Sequence, residues 1–120
     1  MRPDEARLLD ILLAAEEVRQ LCHSLDYEAF TADRTIQLAV IKLLEIIGEA
    51  ARRLSEDTRT AAPGIAWGDI AGMRNVLVHQ YWEVDLEPVW LAVKGDIPQL
   101  VETVRILLAA RTADEPGEVS

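Results

Sequence analysis

Residues 36–54 read IQLAVIKLLEIIGEAARRL, from Ile36 to Leu54. Ile36, Val40, Leu43, Leu44, Ile47, Ala50, Ala51 and Leu54 recur at steps of three and four, the period of one face of an α-helix. Leu38, Ile41 and Ile46 add a second apolar flank. One stripe is enough for a helix that faces a core. Two imply contact on two sides, the core and a second subunit. Lys42, Glu45, Glu49, Arg52 and Arg53 interrupt the run, which argues against a membrane span.

The same period recurs on both sides of this helix, which starts at Thr31 or Asp33 and ends near Ser55. Before it, Leu8, Ile11, Leu12, Ala15, Val18, Cys22 and Leu25 predict a helix over 3–25. Pro3 suits its first turn, and Asp4 and Glu5 complement its dipole. Residues 26–31 read as a linker. Residues 56–66 read as a loop punctuated by Pro63-Gly64. A third helix is expected from Trp67 to Gln80, with Ile70, Met73 and Leu77 toward the core. A fourth starts at Asp85, a suitable N-cap, and ends near Arg111. Gly95-Asp96-Ile97-Pro98 should kink or break it, because Pro98 lacks the N–H that a helix interior uses. Residues 112–120 read as a flexible tail. Short connections make neighbours antiparallel. The expected fold is all-α, an up-and-down bundle of four to five helices in a single domain over 1–111.

The bulk composition agrees. The chain has 120 residues, the size of one domain, and half are apolar. Aromatic residues are few, so the apolar mass is aliphatic and helix-forming. Cys22 is the one cysteine; no intrachain disulfide can form, and a cytoplasmic location is expected. The charged N-terminus has no signal-peptide core. Net charge is −9. Such a chain lacks the cation excess that drives non-specific binding to a polyanion. Any nucleic-acid chemistry must use a local basic site on an acidic body.

The segment Met73-Arg74-Asn75-Val76-Leu77-Val78-His79-Gln80-Tyr81-Trp82 concentrates the reactive groups. On a helix, Asn75 and His79 share a face, so the carboxamide can orient the imidazole. Arg74 and Tyr81 are two turns apart and nearly aligned. Arg74 and His79 diverge by about 140°. Either the helix end distorts, or the two meet in a pocket completed by another element or another chain. Histidine suits acid and base roles near neutral pH, and a guanidinium suits a phosphorane-like transition state. Together they favour metal-free RNA cleavage by the 2′-hydroxyl. One subunit offers one histidine in this segment. A homodimer would bring two His79 and two Arg74 to one cleft. Alone, an Arg and a His at this spacing are common. A helix-terminal His often caps carbonyls, and Arg often pairs with a carboxylate.

Other groups carry less. His23 has no clustered ligand, and two histidines with one cysteine do not make a zinc site. Glu45 and Glu49 share a face, but Lys42 and Arg52 more simply give intrahelical ion pairs. Arg52, Arg53 and Arg59 form a small basic group, read equally as helix-end charges or phosphate contacts. Cys22 reads as core. Gly64, Gly68 and Gly72 lack the spacing of a phosphate loop. No metal and no cofactor are expected.

The order Ile46-Ile47-Gly48-Glu49-Ala50, then Pro63, Trp67, Ile70, then Arg74-Asn75-Val76-Leu77-Val78-His79-Gln80-Tyr81, then Val84-Asp85 and Val89-Trp90, resembles the HepT-like ribonuclease toxins of the HEPN superfamily. The resemblance covers helices one through four. It implies a helical homodimer and a metal-independent endoribonuclease toxin of a type VII toxin–antitoxin system. Arg74 and His79 match the family's catalytic pair, and Asn75 its usual polar neighbour. Tyr81 matches the tyrosine that accepts AMP from a cognate MntA-like minimal nucleotidyltransferase antitoxin. The implied partners are RNA, that antitoxin and a second copy of the chain, with no membrane. The other reading is a non-catalytic helical dimer that binds a nucleotide or docks a nucleotidyltransferase.

Overall fold

The computed structural model describes residues 3–72 and 85–113, and every regular element among them is helical. Helix α1 spans Pro3–Cys22. It stops short of Leu25, whose N–H donates to the Cys22 carbonyl at 3.1 Å. Lys94 Nζ donates to the same carbonyl at 3.1 Å, so a side chain 72 residues away helps cap the helix.

The expected linker over 26–31 contains a further helix, α2, Tyr27–Thr31. Asp26 caps it by accepting from Ala29 N–H at 2.8 Å. One turn is marginal alone. It persists because Phe30 is fully buried and stacks against Trp90 with centroids 5.0 Å apart. That driving force is tertiary, which is why no periodic pattern announces it.

Helix α3, Arg34–Arg52, is the segment quoted first. Asp33 is its N-cap, accepting from Ile36 N–H at 3.0 Å. Val40, Ile41, Leu44, Ile47, Ala50 and Ala51 are buried. Ile41 therefore belongs to the core stripe, not to the outer flank. Leu38 and Ile46 are 39% and 38% exposed, so the described residues leave that flank partly open. Gln37 is buried as well, and its Nε2 donates to the Phe30 carbonyl at 2.8 Å, which offsets its desolvation.

The expected loop over 56–66 also contains a helix, α4, Glu56–Thr60. Ser55 caps it through Thr58 N–H at 3.3 Å. Its turn is held from outside. Asp4 Oδ2 accepts from Ser55 Oγ and Thr58 Oγ1 at 2.5 Å each, and Asp4 Oδ1 accepts from Ser55 N–H at 3.1 Å.

Helix α5 is described over 67–72, starting where the sequence places it. Helix α6, Leu86–Leu91, starts after Asp85, whose Oδ1 accepts from Glu87 N–H at 3.1 Å. A π-helical turn, Ala92–Asp96, follows and leads into α7, Ile97–Ala113. The disturbance expected around Pro98 is this turn. Ile97 N–H reaches back to Ala92, one residue further than in an α-helix, and the chain stays helical. Helix α7 runs two residues past the expected end at Arg111.

Asp4 meets Ser55, just beyond the end of α3, and Arg111, near the end of α7. Both long helices therefore run antiparallel to α1, which packs along each of them. Leu8, Ile11, Val18, Leu44, Leu100 and Val104 fill the space between. The result is the all-helical bundle that the periodicity predicts.

Candidate functional site

Arg74, Asn75, His79 and Tyr81 lie outside the described residues, as does all of 73–84. The structure describes the frame on either side of that segment. At its entry, Trp67 is buried and its Nε1 donates to the Ala62 carbonyl at 3.1 Å. Ile65 N–H donates to the same carbonyl at 3.2 Å. The indole thus fastens the Pro63-Gly64 turn to the start of α5. Ile70 N–H closes the first helical turn on Ala66 at 3.1 Å. The Ile70 side chain lies in an apolar cleft with Leu44, Ile47, Ala92, Ile97 and Leu100. Ile70 faces the core as expected; Met73 and Leu77 lie outside the described residues.

At its exit, α6 is anchored by Val89, which is buried, and by Trp90. The Trp90 indole lies 5.0 Å from the Phe30 ring and 6.2 Å from Tyr27. Lys94 Nζ sits 4.6 Å from its centroid, one helical turn on, a cation–π contact. The described helices on either side of the segment that carries the Arg-x4-His motif are therefore each tied to the core by a tryptophan. Both residues are visible in the sequence, though their partners are not.

A depression of about 90 Å³ adjoins the entry, lined by Ile65, Ala66, Asp69, Ile70, Asp96 and Gln99. Gln99 Nε2 donates to the Gly64 carbonyl across it at 3.4 Å. Among the described residues that line it, the charged groups are the carboxylates of Asp69 and Asp96.

The remaining sequence candidates resolve into structural roles. Lys42 and Glu45 pair at 3.6 Å. Arg52 and Arg53 both bind Glu49 Oε1 at 2.8 Å, and the hydrogen bonds and charge of Glu49 raise the Arg52 guanidinium above its usual range. The intrahelical ion pairs are therefore present, and two members of the basic group are occupied by Glu49. Among the described residues, no group of three or more His, Cys, Asp or Glu is placed to hold a metal ion. None of their helices is long and apolar enough to cross a membrane.

Cys22 is core, as read. Burial pushes its thiol up, and the Lys94 ammonium opposes that only in part. His23 lies exposed just past the end of α1. The contacts that sequence reasoning misses are the long-range polar ones, Asp4 with Ser55 and Lys94 with Cys22. Residues 51 and 72 positions apart leave no local signal. The Trp90–Lys94 contact, by contrast, has a local signal in its spacing of four.

Compared with known proteins, residues 11–107 match the family described as "Ribonuclease HepT-like". The chain is 39% identical over 106 residues to "Putative RNase MJ1380" of Methanocaldococcus jannaschii, covering 88% of this chain and 97% of that protein. It is 41% identical over 93 residues to "Probable ribonuclease HepT" of Thermococcus cleftensis, covering 78% and 84%. It is 32% identical over 108 residues to "Putative RNase TTE0752" of Caldanaerobacter subterraneus subsp. tengcongensis, covering 90% and 96%. No solved structure matches the chain significantly.

Proposed function

The chain belongs to the HepT-like ribonuclease family, and we propose that it is the metal-independent endoribonuclease toxin of a type VII toxin–antitoxin system. The observation that carries this reading is the run Arg74-Asn75-x3-His79-x-Tyr81 within the span that the family covers. Arg74 and His79 are the catalytic pair, contributed by two copies to one cleft, and Asn75 orients the imidazole.

One His79 removes the proton of an RNA 2′-hydroxyl, whose oxygen forms a bond to the adjacent phosphorus. The P–O5′ bond breaks, and the second His79 gives a proton to the leaving oxygen. The guanidiniums of Arg74 hold the non-bridging oxygens as charge builds on them. The products are a 2′,3′-cyclic phosphate and a 5′-hydroxyl. The partly exposed Leu38 and Ile46 on α3 support self-association, since an apolar flank that the described residues leave open suits a second copy. The lone, buried thiol of Cys22 supports a cytoplasmic location.

Control acts on Tyr81. A cognate nucleotidyltransferase antitoxin transfers AMP from ATP to its phenol oxygen, with pyrophosphate leaving. The new phosphodiester adds bulk and negative charge two residues from His79, where it competes with RNA for Arg74.

The test is cleavage of RNA by the purified, unmodified protein in excess chelator, beside His79→Ala. We expect turnover by the parent chain alone. A requirement for added divalent metal, or equal turnover by His79→Ala, would remove the mechanism.

A further inference from the structure

A second polar site lies on the bundle, between α1 and α7. Arg19 and Gln20 lie three and four residues after Glu16, and four and three before His23, so the four share one side of α1 and its end. Arg105 meets them from α7, and the five residues line an open depression of about 220 Å³. Glu16 accepts a hydrogen bond from the Arg105 guanidinium, which holds that side chain at the rim. Arg19 and His23 make no hydrogen bond or ion pair with another described residue.

The setting makes this cluster unusual. The chain carries a net charge of −9. Several of its other cations are engaged: Arg52 and Arg53 on Glu49, Lys42 on Glu45, Arg111 on Asp4, Lys94 on Trp90. Among the described residues of this depression, two guanidiniums and an imidazole accompany one carboxylate. A guanidinium fork matches the non-bridging oxygens of a phosphate, and an amide and an imidazole can each add a donor.

We propose that this depression is a second anchoring point for the RNA strand, which seats one backbone phosphate on Arg19 and Arg105 with Gln20 and His23 as further donors. The assignment rests on the ribonuclease reading for its ligand. It answers the difficulty that an acidic protein has in holding a polyanion: few contacts are made, and they are local. A phosphate contact positions the strand without reading its sequence, so the site acts on affinity for any single strand.

The experiment measures binding of a fluorescent single-stranded 2′-O-methyl RNA, which cannot be cleaved, to the intact protein over a range of salt. Arg19 is exposed and pairs with no described residue, so Arg19→Gln removes a charge and no described contact; equal melting temperatures check this. We expect severalfold weaker binding and a salt slope shallower by about 0.7, the value for one phosphate lost on a single strand. Arg19→Lys should keep most of the slope. Lys42→Gln on α3, which removes the same charge elsewhere, should leave it unchanged. If Arg19→Gln and Lys42→Gln behave alike, the second anchor is overturned while cleavage by the parent chain still upholds the ribonuclease. If the parent protein cleaves nothing yet shows the Arg19-dependent slope, the anchor stands and the ribonuclease falls. If the parent neither binds nor cleaves RNA, both fall.

Discussion

Asp4 Oδ2 lies 3.6 Å from the guanidinium of Arg111, which joins the first turn of α1 to the last turns of α7. Arg111 also donates to Thr58 Oγ1, so the ends of α1, α3 and α7 meet at one carboxylate. Burial pushes the Asp4 carboxyl up, but bonds from Ser55 and Thr58 and the charge of Arg111 outweigh it and hold the pKa below the usual value. A group whose folded pKa is depressed stabilises the fold above its unfolded pKa. That contribution disappears as pH falls through the folded value. We expect Asp4→Asn to be less stable than the parent at pH 7, with the gap closing below about pH 4. Denaturant midpoints across pH measure this. A gap constant with pH would show that the carboxylate charge is irrelevant.

Trp67 fastens the entry of the motif segment. Trp67→Phe keeps most of the packing but loses the bond to the Ala62 carbonyl, and it should cost about 1 kcal/mol. Trp67→Ala also opens a cavity and should cost about 3–5 kcal/mol. Urea unfolding reads both. Equal losses would mean that the indole N–H, not the ring, holds the turn.

The Cys22 thiol should resist labelling in the folded protein. It is 1% exposed, and burial raises its pKa, so both access and thiolate fraction are low. Alkylation followed by mass spectrometry should be far slower in buffer than in denaturant. Comparable rates would show that the C-terminal end of α1 opens readily.

Within the motif, His79→Ala and Arg74→Ala should each lower RNA cleavage by about 10²–10⁴-fold, the usual contribution of one acid–base or charge-stabilising group. Both should melt close to the parent. The 3′ fragments should end in 2′,3′-cyclic phosphate; 3′-hydroxyl ends alone would exclude attack by the 2′-hydroxyl.

Tyr81→Phe should retain cleavage but take up no label from ATP in the presence of the cognate nucleotidyltransferase. The variant would then escape neutralisation, and cells that express it beside the antitoxin should stop growing. Undiminished labelling of Tyr81→Phe would place the acceptor elsewhere.

The sequence by itself determined the long helices and their sidedness. Apolar residues at steps of three and four in 3–22 and 34–52 can be buried together only on a helix, and Asp33 and Asp85 mark starts through caps that are purely local. It also displayed the reactive cluster, since Arg74, His79 and Tyr81 are near neighbours along the chain. The tertiary structure decided the rest. Helices α2 and α4 are too short to announce themselves and exist because Phe30 and Thr58 are buried by distant partners. The same holds for Asp4 with Arg111, Lys94 with Cys22 and Arg105 with Glu16: each joins residues far apart in the chain. Local pattern carries no record of such pairs, because their energy comes from which helices pack side by side.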